Sequence, residues 1–110
     1  MNIQISVRRM TIPRVMKKIV RELCSDIQNK CNGIQNIDVK IENINGHDIS
    51  GMDKRCHLKV RGKEHLAVDV EELDEDLHSA IDSAFRRLKQ VLMLRSAKPV
   101  RNLIDPVVWN

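Results

Sequence analysis

The chain has 110 residues, 42% of them apolar and 31% charged, and its 19 basic and 15 acidic side chains give a formal net charge of +4. One domain of this size can bury a core without disulfides or metals, so this composition disfavours a disordered chain. Aromatic residues make up only 2%, which argues against a protein that binds single strands by stacking bases on aromatic side chains.

The cysteines and the first residues of the chain indicate the cellular compartment in which the protein is expected. Three cysteines at unrelated spacings do not resemble the disulfide framework of a small secreted domain, so we expect reduced thiols. The first residues lack the basic and apolar regions of a signal peptide, and no apolar run approaches the roughly 18 residues of a membrane span. We therefore predict a cytoplasmic protein without a membrane partner.

The first half of the chain predicts a strand, a helix and a second strand. Alternating apolar residues from Ile3 to Val7 indicate the first strand. A helix is predicted from Pro13, which suits a first helical turn, to a stop at Asn32-Gly33. Its apolar residues at helical spacing are Val15, Met16, Ile19, Val20, Leu23 and Ile27. A second alternation from Ile37 to Ile41 indicates the second strand, and the Asn-Gly and Ser-Gly pairs after it indicate a polar loop.

The second half predicts a hairpin and a second helix. Alternation over Cys56 to Val60 and over Leu66 to Val70 indicates two strands, and Gly62-Lys63 between them indicates a tight turn. Asp74 is the expected N-cap of the second helix. The apolar residues of that helix are Leu77, Ile81, Ala84, Phe85, Leu88 and Leu92.

The order β-α-β-β-β-α predicts an α+β fold. Each strand has one apolar and one polar face, so we expect both helices to cover one face of a four-stranded mixed sheet, with the first two strands parallel. The element order is close to that of double-stranded-RNA-binding domains.

Cations on the first helix form the first candidate binding feature. Four of them follow the spacing i, i+3, i+4 and i+7 on the arc opposite the apolar stripe: Arg14, Lys17, Lys18 and Arg21. Neighbouring like charges on a helix repel by a few tenths of a kcal/mol per pair, and an ordinary solvated face mixes both signs. We therefore favour phosphate binding over a solvated face.

Two further basic groups have structural explanations as well. Arg86, Arg87 and Lys89 lie on the second helix, where cations also suit the negative end of the helix dipole. Arg55, His57, Lys59 and Arg61 share the open face of the third strand, and we expect Glu42, Asp38 and Asp69 to neutralise them as cross-strand pairs.

No catalytic or metal-binding pattern is present in the sequence. Cys24 and Cys31 are too far apart for a zinc knuckle, and the four histidines are scattered. Cys56 alternates with core residues, which favours a small apolar side chain over a nucleophile. The acidic segment from Asp69 to Asp82 has no partnered general acid and no phosphate loop. We predict no enzyme, no cofactor, no metal and no small-molecule substrate.

Three segments resemble the ribosome hibernation-promoting factor and protein Y family. Asp76-Leu77-His78-Ser79-Ala80-Ile81-Asp82 is similar to the signature Asp-Met/Leu-Tyr-x-Ala-Ile-Asp that opens the family's second helix. Ile5-Ser6-Val7-Arg8 resembles its opening strand, and His57-Leu58-Lys59-Val60-Arg61-Gly62 resembles its third strand and turn. The element order agrees too, and the similarity covers about residues 1–94.

The resemblance implies a translation inhibitor that acts in starved or stationary cells. Members of this family dock in the channel that messenger RNA and transfer RNAs use on the small ribosomal subunit, and both of their helices present cations to ribosomal RNA. The expected partners are therefore the small subunit and its RNA. The expected RNA-binding residues are Arg8, Arg14, Lys17, Lys18, Arg21, Arg86, Arg87 and Lys89.

The second helix departs from the family pattern. His78 stands where the family has Tyr, and Gln90 and Leu94 stand at two positions that carry cations in the family. One cation, Lys89, lies nearby. The second helix is thus less well equipped for RNA than the first.

The C-terminal residues suggest a separate unit and an alternative function. We predict a ribosome-binding domain over 1–94 and an apolar extension over 95–110, which either packs on its own domain, the favoured reading, or docks on a second copy or another partner. The alternative function is a divergent family member that binds other proteins and not the ribosome. An independent double-stranded RNA binder is a third, but its characteristic loop and helix motifs are not evident.

Overall fold

A computed structural model describes residues 2–44 and 52–101, with side chains through Arg95. The elements are β1 (Asn2–Arg8), α1 (Arg14–Lys30), β2 (Ile34–Asn43), β3 (Lys54–Gly62), β4 (Ala67–Asp74) and α2 (Leu77–Arg101). The predicted polar loop with Asn45-Gly46 and Ser50-Gly51 lies outside the described residues. Neither helix, over the part of the chain that is described, has the combination of length and apolarity that a bilayer span requires.

The four strands form one mixed sheet in the order β1-β2-β3-β4. β1 and β2 are parallel, and β2, β3 and β4 are successively antiparallel. Ile5 pairs with Val39, Val39 with Leu58, and Leu58 with Val70, so the apolar residues of all four strands lie on the same face. The predicted α+β fold is confirmed.

Both helices cover that apolar face. Val20, Cys24 and Ile27 of α1 are buried in one core with residues of β2, β3 and β4. From α2 the core receives Ala80, Ile81, Ala84, Phe85, Leu88 and Leu92. The predicted apolar stripe of α1 was partly wrong: Val15 and Ile19 are 63% and 39% exposed, because the buried face is centred nearer Val20 and Cys24.

The β3–β4 turn lies two residues later than predicted. Lys63 C=O accepts a hydrogen bond from Leu66 N–H at 3.1 Å, and the two residues between them, Glu64 and His65, both have positive φ. β4 therefore begins at Ala67. Gly62 meets a different need, since a Cβ there would overlap the carbonyl oxygen of Gly33. That carbonyl accepts the Lys63 N–H at 2.8 Å and joins the start of β2 to this hairpin.

The N-cap of α2 is Asp76 and not Asp74 as predicted. Asp76 Oδ2 accepts hydrogen bonds from Ser79 N–H at 2.9 Å and from Ser79 Oγ at 3.0 Å. Asp74 Oδ1 instead accepts the Asp76 N–H at 3.0 Å. The Asp76 carboxylate thus caps the helix, and the Asp74 carboxylate holds the Asp76 backbone at the end of β4. α2 continues through residues 95–101, and the domain boundary at residue 94 stays a prediction.

Candidate nucleic-acid interface

The first turn of α1 combines the absence of a side-chain cap with positive charge. Pro13 precedes the helix and provides no side-chain cap, and no acidic residue lies in the first turn. Arg14 and Lys17 lie there instead, at the positive end of the helix dipole, where cations are unfavourable and anions bind well. This arrangement costs helix stability and favours a bound anion.

The four cations of α1 are exposed and have no carboxylate partner. Among the described residues, no acidic side chain lies within ion-pair distance of Arg14, Lys17, Lys18 or Arg21. Lys17 and Lys18 each lie three or four residues from both Arg14 and Arg21, so the Cβ atoms of these pairs are about 5–6 Å apart. We call these four residues the α1 basic surface.

Arg14, Lys17 and Arg21 of the α1 basic surface lie on the flank of α1 that faces away from α2, and Lys18 lies between the two flanks. Asp26 marks the opposite flank, because its Oδ2 is 3.6 Å from Lys89 Nζ of α2 and 3.4 Å from Lys30 Nζ. On a helical projection at about 100° per residue, Lys17 and Arg21 lie well over 90° from Asp26. The surface is therefore open to a large partner.

The three cations predicted on α2 are all ion-paired. Arg87 Nη1 lies 2.7 Å from Glu72 Oε2 of β4, Arg86 pairs with Asp82 one turn earlier, and Lys89 pairs with Asp26. A phosphate would compete with a carboxylate at each of these side chains. Exposed ion pairs contribute little to stability, so the α2 cations remain available, but at a cost that the α1 basic surface does not have.

Arg8 is separated from the α1 basic surface by the sheet. It follows Val7, whose side chain packs against the core, so Arg8 lies on the open face, where it borders a depression of about 280 Å³ together with Lys40. Arg9 was not predicted as a site residue. It is exposed, follows β1 with φ of 60°, and lies in the connection that leads to α1. Its position beside Arg8 in the sequence was the available signal.

The cations of the open sheet face are partly neutralised by carboxylates of neighbouring strands. Arg55 pairs with Glu42 of β2 and Glu71 of β4, while Arg61 Nη1 lies 3.5 Å from Asp69 Oδ1. Of the three carboxylates expected to neutralise this strand, Glu42 and Asp69 form cross-strand ion pairs, whereas Asp38 forms none among the described residues. Arg8, Lys40 and Lys59 of this face form no ion pair among the described residues, so the face keeps part of its positive charge.

The cysteines are placed as core residues. Cys24, Cys31 and Cys56 are free thiols and buried. Burial raises the pKa of both Cys24 and Cys56 to about 12, so both are protonated near neutral pH and are poor nucleophiles. Among the described residues, no three His, Cys, Asp or Glu side chains are grouped so as to hold a metal ion.

Comparison with known proteins identifies the family. The family model of sigma 54 modulation proteins and S30EA ribosomal proteins matches residues 3–98. The chain belongs to this ribosome-associated family. The sequence-based identification is thereby confirmed. A comparison with curated protein sequences found no match.

Solved structures with this fold agree with membership of the S30EA family. A ribosomal subunit interface protein from Coxiella burnetii is 18% identical and superposes with a TM-score of 0.72, covering 88% of this chain and 99% of its own. The N-terminal domain of Protein Y from Thermus thermophilus is 26% identical, with a TM-score of 0.67 over 84% of this chain and 96% of its own. The S30EA-type fold thus accounts for nearly all of the described residues.

Proposed function

We propose that this protein is a translation inhibitor that binds the small ribosomal subunit in the cytoplasm during starvation or stationary phase. It occupies the channel for messenger RNA and transfer RNAs and excludes them sterically, without catalysis, a cofactor or a small-molecule substrate. Membership of a ribosome-associated family and the names of the two structural relatives support the partner. The family resemblance supports the channel.

The observation that carries the proposal is the α1 basic surface. Four exposed cations without carboxylate partners among the described residues lie along the first two turns of a helix that has no side-chain cap. Phosphates of folded RNA supply the missing negative charge and accept hydrogen bonds from the guanidinium and ammonium groups. Contacts of this kind recognise the shape and backbone of RNA and require no aromatic residues.

The remaining proposed contacts rank behind the α1 basic surface. Arg8 and Arg9 add positive charge at the end of β1, with Arg8 on the open face of the sheet, and neither forms an ion pair among the described residues. Arg86, Arg87 and Lys89 contribute only where a phosphate displaces Asp82, Glu72 or Asp26.

Salt-dependent co-sedimentation with purified small subunits tests this function. If four or five side chains each neutralise one phosphate, affinity should fall on the order of 10²- to 10³-fold between 50 and 200 mM salt, taking the duplex-DNA slope as a guide. Competition by messenger RNA and transfer RNA is the second readout. An absence of co-sedimentation at 50 mM salt contradicts the proposal, and binding that is insensitive to salt contradicts its phosphate basis.

A further inference from the structure

The outer edge of β1 has no strand partner among the described residues. β1 lies at one end of the sheet and pairs with β2 alone. Successive residues of a strand direct their backbone N–H and C=O groups to opposite edges, so about half of these groups in Asn2–Arg8 point away from β2. Within the described ranges, no backbone hydrogen bond outside the sheet involves this strand. Such an edge is a template on which a further strand can form.

The two edges of the sheet differ in their protection. β4, the other edge, carries four carboxylates: Asp69, Glu71, Glu72 and Asp74. Charged side chains on an edge strand discourage pairing with another chain. β1 contains no proline, its pairing with β2 runs over Asn2–Arg8 without a bulge, and its one charged residue is the last. The edge that favours a further strand is therefore that of β1.

The apolar side chains of β1 have surface left for a neighbour. Ile3, Ile5 and Val7 pack against the core but are only half-buried, whereas the β2 residues that pair with them are buried. A strand added beside β1 would cover the exposed sides of these three side chains. Apolar contact would then add to the backbone hydrogen bonds.

The charge beside this edge indicates the chemistry of the occupant. Both helices cover one face of the sheet, and α2 packs on β3 and β4, so the flank of α1 that faces away from α2 lies on the side of the outer edge of β1. Lys17 and Arg21 are exposed on that flank and form no ion pair among the described residues. Arg8 adds positive charge at the end of the strand. A segment with carboxylates complements this edge.

RNA and a second copy of the chain fit the edge less well. The edge alternates N–H donors with C=O acceptors, and phosphate oxygens accept hydrogen bonds but donate none. A second β1 supplies both kinds of group, but two-fold pairing would bring the cationic flanks of two α1 helices together. A peptide strand with acidic side chains supplies both groups and the opposite charge.

We propose that the outer edge of β1 binds an extended acidic segment of another protein by strand addition. Backbone hydrogen bonds to β1 hold the segment, and Lys17 and Arg21 contact its carboxylates. The proposal uses two side chains of the α1 basic surface but does not depend on ribosome binding.

A capped eight-residue peptide of alternating valine and glutamate tests the proposal on the full chain. Fluorescence anisotropy of the labelled peptide measures its affinity, and hydrogen–deuterium exchange measures the protection of β1. We expect binding, with slower exchange of the β1 amides that point away from β2. The same peptide methylated at every backbone amide keeps its charge but loses its donors, and it should bind at least about tenfold more weakly.

Two double variants separate the α1 flank from positive charge in general. Lys17→Gln with Arg21→Gln should weaken peptide binding about two- to thirtyfold, the range for two exposed ion pairs. Lys63→Gln with Arg95→Gln is the matched control, because it also removes one exposed Lys and one exposed Arg, from the β3–β4 turn and from α2. At about 0.15 M salt, which screens distant charges, the control should bind like the wild type. Circular dichroism checks the folding of both variants.

Four outcomes would overturn the proposal. The first is no binding of the acidic peptide, and the second is binding that leaves the exchange of β1 unchanged, which assigns the contact to charge alone. The third is equal weakening in the two double variants. The fourth is protection of the outward-pointing β1 amides without peptide, or equal protection by an RNA oligonucleotide, because either result assigns the edge to another occupant.

Discussion

The predicted RNA-binding residues of the two helices differ in whether a carboxylate pairs with them. The helical phase of Arg14, Lys17, Lys18 and Arg21 was readable from spacing, and all four are exposed as predicted. The partners of the α2 cations were not readable, because Glu72 is 15 residues from Arg87 in sequence and Asp26 lies on another helix from Lys89. Tertiary neighbours decide whether a cation has an ion-pair partner, and these neighbours cannot be identified from a single sequence.

The N-cap of α2 gives a prediction at the scale of one residue. Asp76→Ala removes the acceptor for Ser79 N–H and Oγ, so the urea midpoint of unfolding should fall at neutral pH. Glu75→Ala is the control, since Glu75 is exposed and adjacent without these bonds. Equal midpoints for the two variants would contradict the assignment of Asp76 as the cap.

The same side chain predicts a pH dependence. Hydrogen bonds from the Ser79 backbone and side chain lower the pKa of Asp76 in the folded protein. A carboxyl group with a lowered folded pKa contributes its stability above the unfolded value of about 3.9 and loses it as the pH falls through the folded pKa. The difference in unfolding midpoint between wild type and Asp76→Ala should therefore be constant near neutrality and shrink in acid. A difference that grows in acid would contradict this account.

The periodicity of apolar residues predicted all six elements, their order and the shared face of the helices. It did not predict how elements join. A tight turn with positive φ at two central positions ordinarily contains Asn or Gly, so Gly62 was taken for the turn, whereas Glu64 and His65 form it. Gly62 is required by its close approach to Gly33, a contact between β3 and the start of β2. Contacts of this kind between distant segments leave no periodic signal.

At the scale of the element, α1 should be more stable without its cations. Arg14→Glu places a negative charge in a first turn that has none and removes repulsion from Lys17 and Lys18, so the free energy of unfolding should rise by about 0.3–1 kcal/mol at low ionic strength. The same change should weaken binding to small subunits. Urea unfolding and co-sedimentation measure the two effects.

Ser25→Glu is the control that shows whether the stability gain depends on placing the negative charge in the first turn of α1. Ser25 is exposed in the middle of α1, where the helix dipole has little effect, so this variant should gain less stability than Arg14→Glu. If Arg14→Glu destabilised the protein, or if it bound small subunits as tightly as the wild type, the view that α1 sacrifices stability for phosphate binding would be wrong.

Over the whole molecule, charge is segregated by layer. On the open sheet face Arg55 and Arg61 pair with carboxylates of neighbouring strands, and on α2 Arg86, Arg87 and Lys89 pair with α2 itself, β4 and α1. The outer flank of α1 is left with uncompensated positive charge. A net charge of +4 therefore conceals a basic surface on one flank of α1, and we expect RNA to approach from that side.

Two triple variants, each of which loses three positive charges, test most directly whether the α1 basic surface binds RNA. One replaces Lys17, Lys18 and Arg21 with Gln, and the other replaces Arg86, Arg87 and Lys89 with Gln, with folding of both checked by circular dichroism. Affinity for purified small subunits should fall by about tenfold per side chain in the α1 variant, since a charge-assisted hydrogen bond contributes about 1.5 kcal/mol or more. The α2 variant should lose much less. A folded α1 variant that binds as tightly as the wild type, or an α2 variant that loses more affinity than the α1 variant, would contradict the account.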